Sequence, residues 1–150
     1  GLLTPSEGEL LVCDERPGRI THSLVSYLPE RTCIPLWMST QQLLDFYKDF
    51  YPDFRREAAM EMLQHLGIRM NQRIKQMSKG TREKVQLIMV MSRQASLYLL
   101  DEPIGGVDPA TRDYILNTII GNYSPDAAGG ISTPLIADVE KGLDDVNFFN

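Results

Sequence analysis

The feature that most constrains the fold is the segment LYLLDEPIGGVDP, from Leu97 to Pro109. Its first four residues, Leu97–Leu100, are apolar without alternation, which is typical of a parallel-sheet strand that is buried on both faces. In open α/β sheets the ligand binds beyond the carboxyl ends of the strands, where Asp101 and Glu102 would lie. The segment therefore predicts a buried strand that delivers two carboxylates to a binding site.

The residues after the carboxylates predict a turn and a new helix. Pro103 ends the strand, and Gly105 and Gly106 make a turn. Asp108 followed by Pro109 is typical of an N-cap and the first helical position. An acidic pair of this kind can also be an ordinary turn after a buried strand, so a functional interpretation needs a second motif.

That second motif is MSKGT, at residues 77–81. Together with the strand and its turn, it resembles the signature sequence, Walker B motif and D-loop of ABC-type ATPases, in that family's order. The resemblance implies an α/β fold, namely part of the P-loop NTPase fold: a mostly parallel sheet with flanking helices, plus a helical subdomain. One partial ABC ATPase domain would cover residues 1–150, with the helical subdomain at about residues 39–94.

The resemblance also implies roles for the residues of both motifs. Asp101 would help to hold Mg²⁺ through its water shell, and Glu102 would be the general base for ATP hydrolysis. Asp108, in the D-loop, would contact a second ATP-binding subunit in a head-to-tail dimer. The signature residues, at a helix N-terminus that suits an anion, would bind the γ-phosphate of the ATP held by that second subunit: Ser78, Lys79, Gly80 and Thr81.

Several positions depart from the family's pattern. Lys79 and Thr81 stand where glycine and glutamine are usual, but variants of this shape occur among bacterial exporters, so we expect a competent site. Residues 27–30 resemble the start of the Q-loop, where glutamine is commoner than Glu30; this carboxylate could ligate Mg²⁺ or be a solvated acid at a strand end. Pro134 replaces the switch histidine and cannot donate that residue's hydrogen bond, which predicts a weakened switch.

The phosphate-binding motif G-x-x-x-x-G-K-[ST] does not occur in the sequence, because none of the 11 glycines is followed by lysine. By resemblance, this motif should end one helix before Gly1, so we expect the chain to be a fragment that begins after it. We expect an ATPase in the parent protein, and neither tight ATP binding nor hydrolysis by this polypeptide alone. The alternatives are a catalytically dead interaction module and a soluble ABC-type ATPase that is not linked to transport.

Composition narrows the class of partner. The net charge is -5, with 20 acids against 15 bases, which is the opposite of the basic field of nucleic-acid-binding proteins; no nucleic-acid partner is expected. No apolar run approaches the length of about 18 residues that spans a membrane, and the N-terminus is not typical of a signal peptide. With the resemblance, this predicts a cytoplasmic subunit, peripheral at the inner face of the cell membrane, whose partners are transmembrane permease subunits.

Turn residues and apolar periodicity predict the elements before the signature. Ser23–Leu28 is a strand candidate, and Ser39 with Gln42 has the pattern of a capping box. The helix that follows carries an apolar face that we expect to pack in the core: Leu43, Leu44, Phe46, Tyr47 and Phe50.

Further helices are expected around the signature. Gly67 ends a helix in C-cap fashion, and Ser78 caps a signature helix over about residues 81–94. In the family the surface of the helical subdomain receives the coupling helices of the membrane subunits. Trp37 and Phe54 are candidates for that contact.

Overall fold

The computed structural model describes residues 8, 11–12, 14–29, 31–101, 108, 110–111, 114 and 128–132. No helix within these ranges is long and apolar enough to cross a membrane. The elements, in chain order, are α1 (Arg19–Leu24), β1 (Val25–Leu28), α2 (Thr40–Phe50), α3 (Arg56–His65), a 3-10 helix (Ile74–Gln76), α4 (Lys79–Met91), β2 (Leu97–Asp101) and β3 (Ala128–Ser132).

The three strands form a parallel sheet in the order β1-β2-β3. Leu28 at the end of β1 lies opposite Leu100, and Asp101 at the end of β2 lies opposite Ser132 of β3. All three carboxyl ends therefore meet at one edge of the sheet. The predicted parallel strand with Asp101 at its carboxyl end is confirmed.

Burial of β2 differs from the prediction. Tyr98 and Leu100 are buried, whereas Leu99, on the opposite face, is exposed. Among the described residues, α4 packs on the face of the sheet that carries Ser26. The Ser26 hydroxyl donates a hydrogen bond to Val90 O of α4 at 2.8 Å. The apolar run gave no sign of this asymmetry, because its residues are apolar on both faces.

The strand predicted at residues 23–28 begins two residues too early. Ser23 and Leu24 are the last residues of α1, and β1 starts at Val25. The hydroxyl of Thr21 accepts a hydrogen bond from Gly18 N at 2.7 Å and donates to Gly18 O at 2.9 Å. These bonds close the first turn of a short helix that the sequence pattern did not reveal.

The capping box of α2 is confirmed. Ser39 Oγ accepts a hydrogen bond from Gln42 N at 3.2 Å, and Gln42 Oε1 accepts one from Ser39 N at 2.9 Å. Two N–H groups at the start of the helix are thereby satisfied.

The buried face of α2 is narrower than predicted. Leu43 and Tyr47 lie along one stripe at a spacing of four residues, and Tyr47 is packed against the core. Phe46 and Phe50 form a second row beside this stripe, and Phe50 is 66% exposed. Their rings stack on each other with centroids 5.6 Å apart. The prediction that both phenylalanines are core residues was wrong.

The C-terminus of α3 has the predicted glycine. Gly67 has a φ of 72°, a left-handed conformation that favours glycine. Gly67 N donates to Gln64 O and Ile68 N donates to Leu63 O, each at 2.9 Å. These two bonds make a Schellman motif that satisfies carbonyls at the helix end.

The core lies between α4, its neighbouring helices and one face of the sheet. Residues 85–91 of α4 are buried throughout. Phe54, which precedes α3, is also buried, so its predicted contact with a membrane subunit was wrong. Trp37, the other candidate, is exposed as expected.

Candidate functional site

The signature residues lie at the N-terminus of α4. Ser78 is the N-cap, as predicted: its Oγ accepts a hydrogen bond from Thr81 N at 3.2 Å and lies 2.8 Å from Thr81 Oγ1. The helix starts at Lys79, two residues earlier than predicted, and ends at Met91 rather than at Gln94. The early start places Lys79 and Gly80 in its first turn.

The N-terminus of α4 carries positive charge from a lysine and from the helix dipole. The side chain of Lys79 is 87% exposed, and its Nζ lies 3.7 Å from Glu83 Oε1, a surface pairing that contributes little. The first N–H groups of a helix lack intrahelical acceptors, and the helix dipole is positive there. A hydroxyl, a lysine and these N–H groups together fit a phosphate group.

A helix follows β2, of which the structure describes residues 110, 111 and 114. Asp108 is its N-cap, as predicted. Its Oδ1 accepts a hydrogen bond from Thr111 N at 3.0 Å. Its Oδ2 lies 2.8 Å from Lys84 Nζ of α4, and the same ammonium donates to Thr111 Oγ1 at 3.3 Å. The hydrogen bond from Lys84, followed by those from Thr111, holds the pKa of Asp108 well below its usual range.

Gln86 ties the loop after β1 to the same helix. This buried amide accepts a hydrogen bond from Cys33 N at 2.7 Å and donates to Arg31 O at 3.4 Å. The loop that leaves the carboxyl end of β1 is therefore fixed to α4, two residues beyond Lys84. Neither Lys84 nor Gln86 was predicted as a functional residue from the sequence. A glutamine between Val85 and Leu87 is nevertheless a polar interruption in a buried apolar run.

The structure describes the remaining predicted site residues only in part or not at all. Asp101 is placed by its backbone as the last residue of β2, but its side chain, Glu102 and Glu30 lie outside the described residues, as does Pro134. Where the structure does describe side chains, no group of three or more potential ligands could hold a metal ion. The Mg²⁺ ligands and the general base stay predictions.

A pocket of about 340 Å³ runs along β1. Arg93 lines it and donates to Val25 O and Ser23 O, each at 2.8 Å. Burial, and secondarily the neighbouring Tyr51, raises the pKa of the Tyr47 phenol to about 12. The pocket is lined by His22, Val25, Ser26, Tyr27, Tyr47, Tyr51, Val90 and Arg93.

The profile of one protein family, described as ABC transporter, matches residues 1–105. The chain belongs to the ABC transporter family. This match covers both the signature residues and the strand that ends at Asp101, so the resemblance drawn from those motifs is confirmed.

Curated relatives of this ABC transporter chain include proteins named for both directions of transport. The uncharacterized ABC transporter ATP-binding protein YxlF of Bacillus subtilis is 26% identical, over 97% of the chain and 50% of YxlF. The SkfA peptide export ATP-binding protein SkfE of Bacillus subtilis is 25% identical, over 97% of the chain and 64% of SkfE. The taurine import ATP-binding protein TauB of Mesorhizobium japonicum is 27% identical, over 86% of the chain and 52% of TauB. The chain spans about half the length of the curated relatives that it matches.

Solved structures confirm the predicted fold. The chain superimposes on an ATP binding subunit of an ABC transporter with a TM-score of 0.81 and 22% identity, over 96% of the chain and 63% of that structure. It matches the ATP-binding cassette MJ0796, a dimer bound to ADP and Pi, with a TM-score of 0.71 and 16% identity, over 94% and 68% of the two chains. The described elements are therefore part of the ABC ATPase fold.

Proposed function

We propose that this chain is part of an ATP-binding subunit that powers an ABC transporter. The observation that carries the proposal is the N-terminus of α4, where Ser78 caps the helix and Lys79 is exposed beside the first-turn N–H groups. Helix N-termini of this kind bind phosphate through backbone N–H groups and the helix dipole. Family membership and the position of this motif before β2 support the same function.

The mechanism that we propose uses two subunits. Ser78, Lys79, Gly80 and Thr81 bind the γ-phosphate of an ATP held by a second ATP-binding subunit in a head-to-tail dimer. ATP hydrolysis depends mainly on positioning and on neutralising phosphate charge, which a helix N-terminus with a lysine supplies. The dimeric form of the similar cassette MJ0796, bound to ADP and Pi, supports this arrangement.

The acidic residues after the strands complete the proposed site. We assign Asp101 to the water shell of Mg²⁺, with Glu30 as a weaker second candidate, and Glu102 to the activation of the attacking water. When bound, Mg²⁺ neutralises charge on the phosphates. The position of Asp101 at the carboxyl edge of the parallel sheet supports its assignment.

We further propose that transmembrane permease subunits bind beside β1, with the chain at the inner face of the membrane. The pocket along β1 is bordered by Tyr47 and Tyr51, and Phe50 extends this aromatic surface into solvent, 5.4 Å from Tyr51 between ring centroids. Exposed aromatic patches of this kind are typical of protein contacts. This surface replaces Phe54, which is buried.

Export is the transport direction that we propose. The Ser-Lys-Gly form of the signature resembles that of bacterial exporters, and the match to SkfE covers nearly the whole chain. The match to TauB, named for taurine import, makes import the alternative. Transport of a labelled substrate in vesicles that carry the parent transporter separates the two directions.

A catalytically dead interaction module is the second candidate. It is favoured by Pro134, which stands in place of a histidine and cannot donate that residue's hydrogen bond. In that case the aromatic surface beside β1 binds its membrane partner without any response to nucleotide.

The test is a titration of the isotope-labelled chain with Mg-ATP and with Mg-ADP, followed by NMR. We expect weak binding, with the amide signals of Lys79, Gly80 and Thr81 shifting more with ATP than with ADP, because the γ-phosphate is the group recognised. Calorimetry should show no micromolar binding, since the phosphate-binding loop is missing from the sequence. Equal or absent shifts at these amides contradict the proposal and favour the interaction module.

A matched pair of variants isolates the phosphate site. Ser78→Asp keeps an N-cap, because aspartate caps as well as serine, but places a negative charge where the phosphate binds. Ser39→Asp makes the same change at the N-cap of α2. We expect the first variant to abolish the ATP-dependent shifts and the second to leave them unchanged.

A further inference from the structure

The contact between Lys84 and Asp108 joins two segments that are 24 residues apart in the chain. Lys84 lies on α4, whose first residues carry the signature, and Asp108 begins the helix after β2. Both oxygens of the carboxylate are used within the chain, Oδ2 by Lys84 Nζ and Oδ1 by Thr111 N. Asp108 is thus engaged within the chain, and its contact with a second subunit stays a prediction.

We propose that Lys84 is a positioning residue that fixes Asp108 and the start of the following helix relative to the signature end of α4. Its ammonium reaches both Asp108 Oδ2 and Thr111 Oγ1, at 2.8 and 3.3 Å, so it contacts the N-cap and the residue whose N–H that cap accepts. A lysine donates to two acceptors only if they are held close together. The bonds of Lys84 therefore fix both the start of this helix and its distance from α4.

The contact between Lys84 and Asp108 has a functional consequence, which rests on the proposed function. If Ser78 and Asp108 both face the second subunit, their relative position sets whether they can engage it together. Gln86, two residues after Lys84 on α4, holds the loop after β1 through its bonds to Cys33 N and Arg31 O. Helix α4 then holds the signature, residues 31–33 after β1 and Asp108 in fixed positions relative to one another.

The experiment measures the distance between α4 and the following helix directly. Spin labels are attached at Lys79→Cys and Ala110→Cys, both at exposed positions, in a chain with Cys13→Ser and Cys33→Ser. Pulsed electron paramagnetic resonance gives the distribution of label distances without nucleotide. We expect a narrow distribution that becomes at least twofold broader with Lys84→Met and stays narrow with Lys84→Arg.

Two further variants keep the outcome decisive. Asp108→Asn retains an N-cap for Thr111 but removes the charge, so it should broaden the distribution even if Lys84→Met fails to fold. Lys75→Met makes the same lysine substitution on the 3-10 helix, at an exposed position, and should change nothing. An unchanged distribution in Lys84→Met and Asp108→Asn, or broadening in Lys75→Met as well, overturns the proposal. Because no nucleotide is present, neither result bears on ATP binding.

Discussion

Arg93 and Asp53 form a two-point ion pair, with Nε 3.2 Å from Oδ1 and Nη2 3.1 Å from Oδ2. The arginine is only 5% exposed. Its guanidinium also donates to Val25 O and Ser23 O and lies 4.1 Å from the centre of the Tyr51 ring. A single buried cation thus joins the segment after α4 to the start of β1 and to the connection between α2 and α3.

Replacing Arg93 should lower the free energy of unfolding substantially. Arg93→Met leaves the Asp53 carboxylate and two carbonyls without their donor, and breaking a buried pair in this way costs about 3–5 kcal/mol of unfolding free energy. Urea denaturation measures the loss. The matched control is Arg56→Met, which breaks a pair with the exposed Asp45 at 2.8 Å and should cost about 0–1 kcal/mol. Similar losses in both variants would contradict a special role for Arg93.

The role of Arg93 could not be predicted from the sequence. Its partners lie 40, 68 and 70 residues away in the chain, and one arginine after an apolar helix gives no sign of them. Lys84 and Asp108 were missed as a pair for the same reason. Long-range polar contacts depend on how the elements pack, whereas sequence patterns report mainly local structure.

Local signals were more reliable. The capping residues Ser39, Ser78 and Asp108 and the C-terminal Gly67 were predicted correctly, because each satisfies N–H or carbonyl groups a few residues away. The errors concern burial. Phe50 has the apolar periodicity of a core residue yet is exposed, because it lies in a row beside the buried stripe of α2.

The left-handed conformation of Gly67 provides a second prediction. Gly67→Ala places a Cβ in a backbone with a φ of 72°, which costs about 1–2 kcal/mol for a residue other than glycine. Gly18 has an extended φ of -171°, so Gly18→Ala should change stability by less than about 0.5 kcal/mol. Thermal unfolding of both variants tests the contrast, and an equal effect would rule out backbone strain as the cause.

The lowered pKa of Asp108 predicts a loss of folding stability in acid. Because its pKa in the folded chain is below the ordinary value of 3.8, the folded state binds its proton less readily than the unfolded state does. The contribution of Asp108 is therefore present above about pH 4 and is lost as the pH falls further. It should be small, because this carboxylate is half exposed and salt screens it. Unfolding free energies across this range should show an acid-dependent component that Asp108→Asn lacks.

The raised pKa of Tyr47 predicts a loss of folding stability in alkali. Burial raises its pKa from 10.0 to about 12 in the folded chain, so the phenol stays neutral there while the unfolded chain ionises. The stability that it contributes is complete below about pH 10 and falls as the pH rises to about 12. Two pKa units correspond to about 2 kcal/mol once partial exposure is allowed for. Urea denaturation along this pH range should show that decline, and Tyr47→Phe should remove it while leaving the ionisation of Tyr98, whose pKa burial also raises. A variant that declines as steeply as the wild-type chain would assign the alkaline loss to Tyr98 instead.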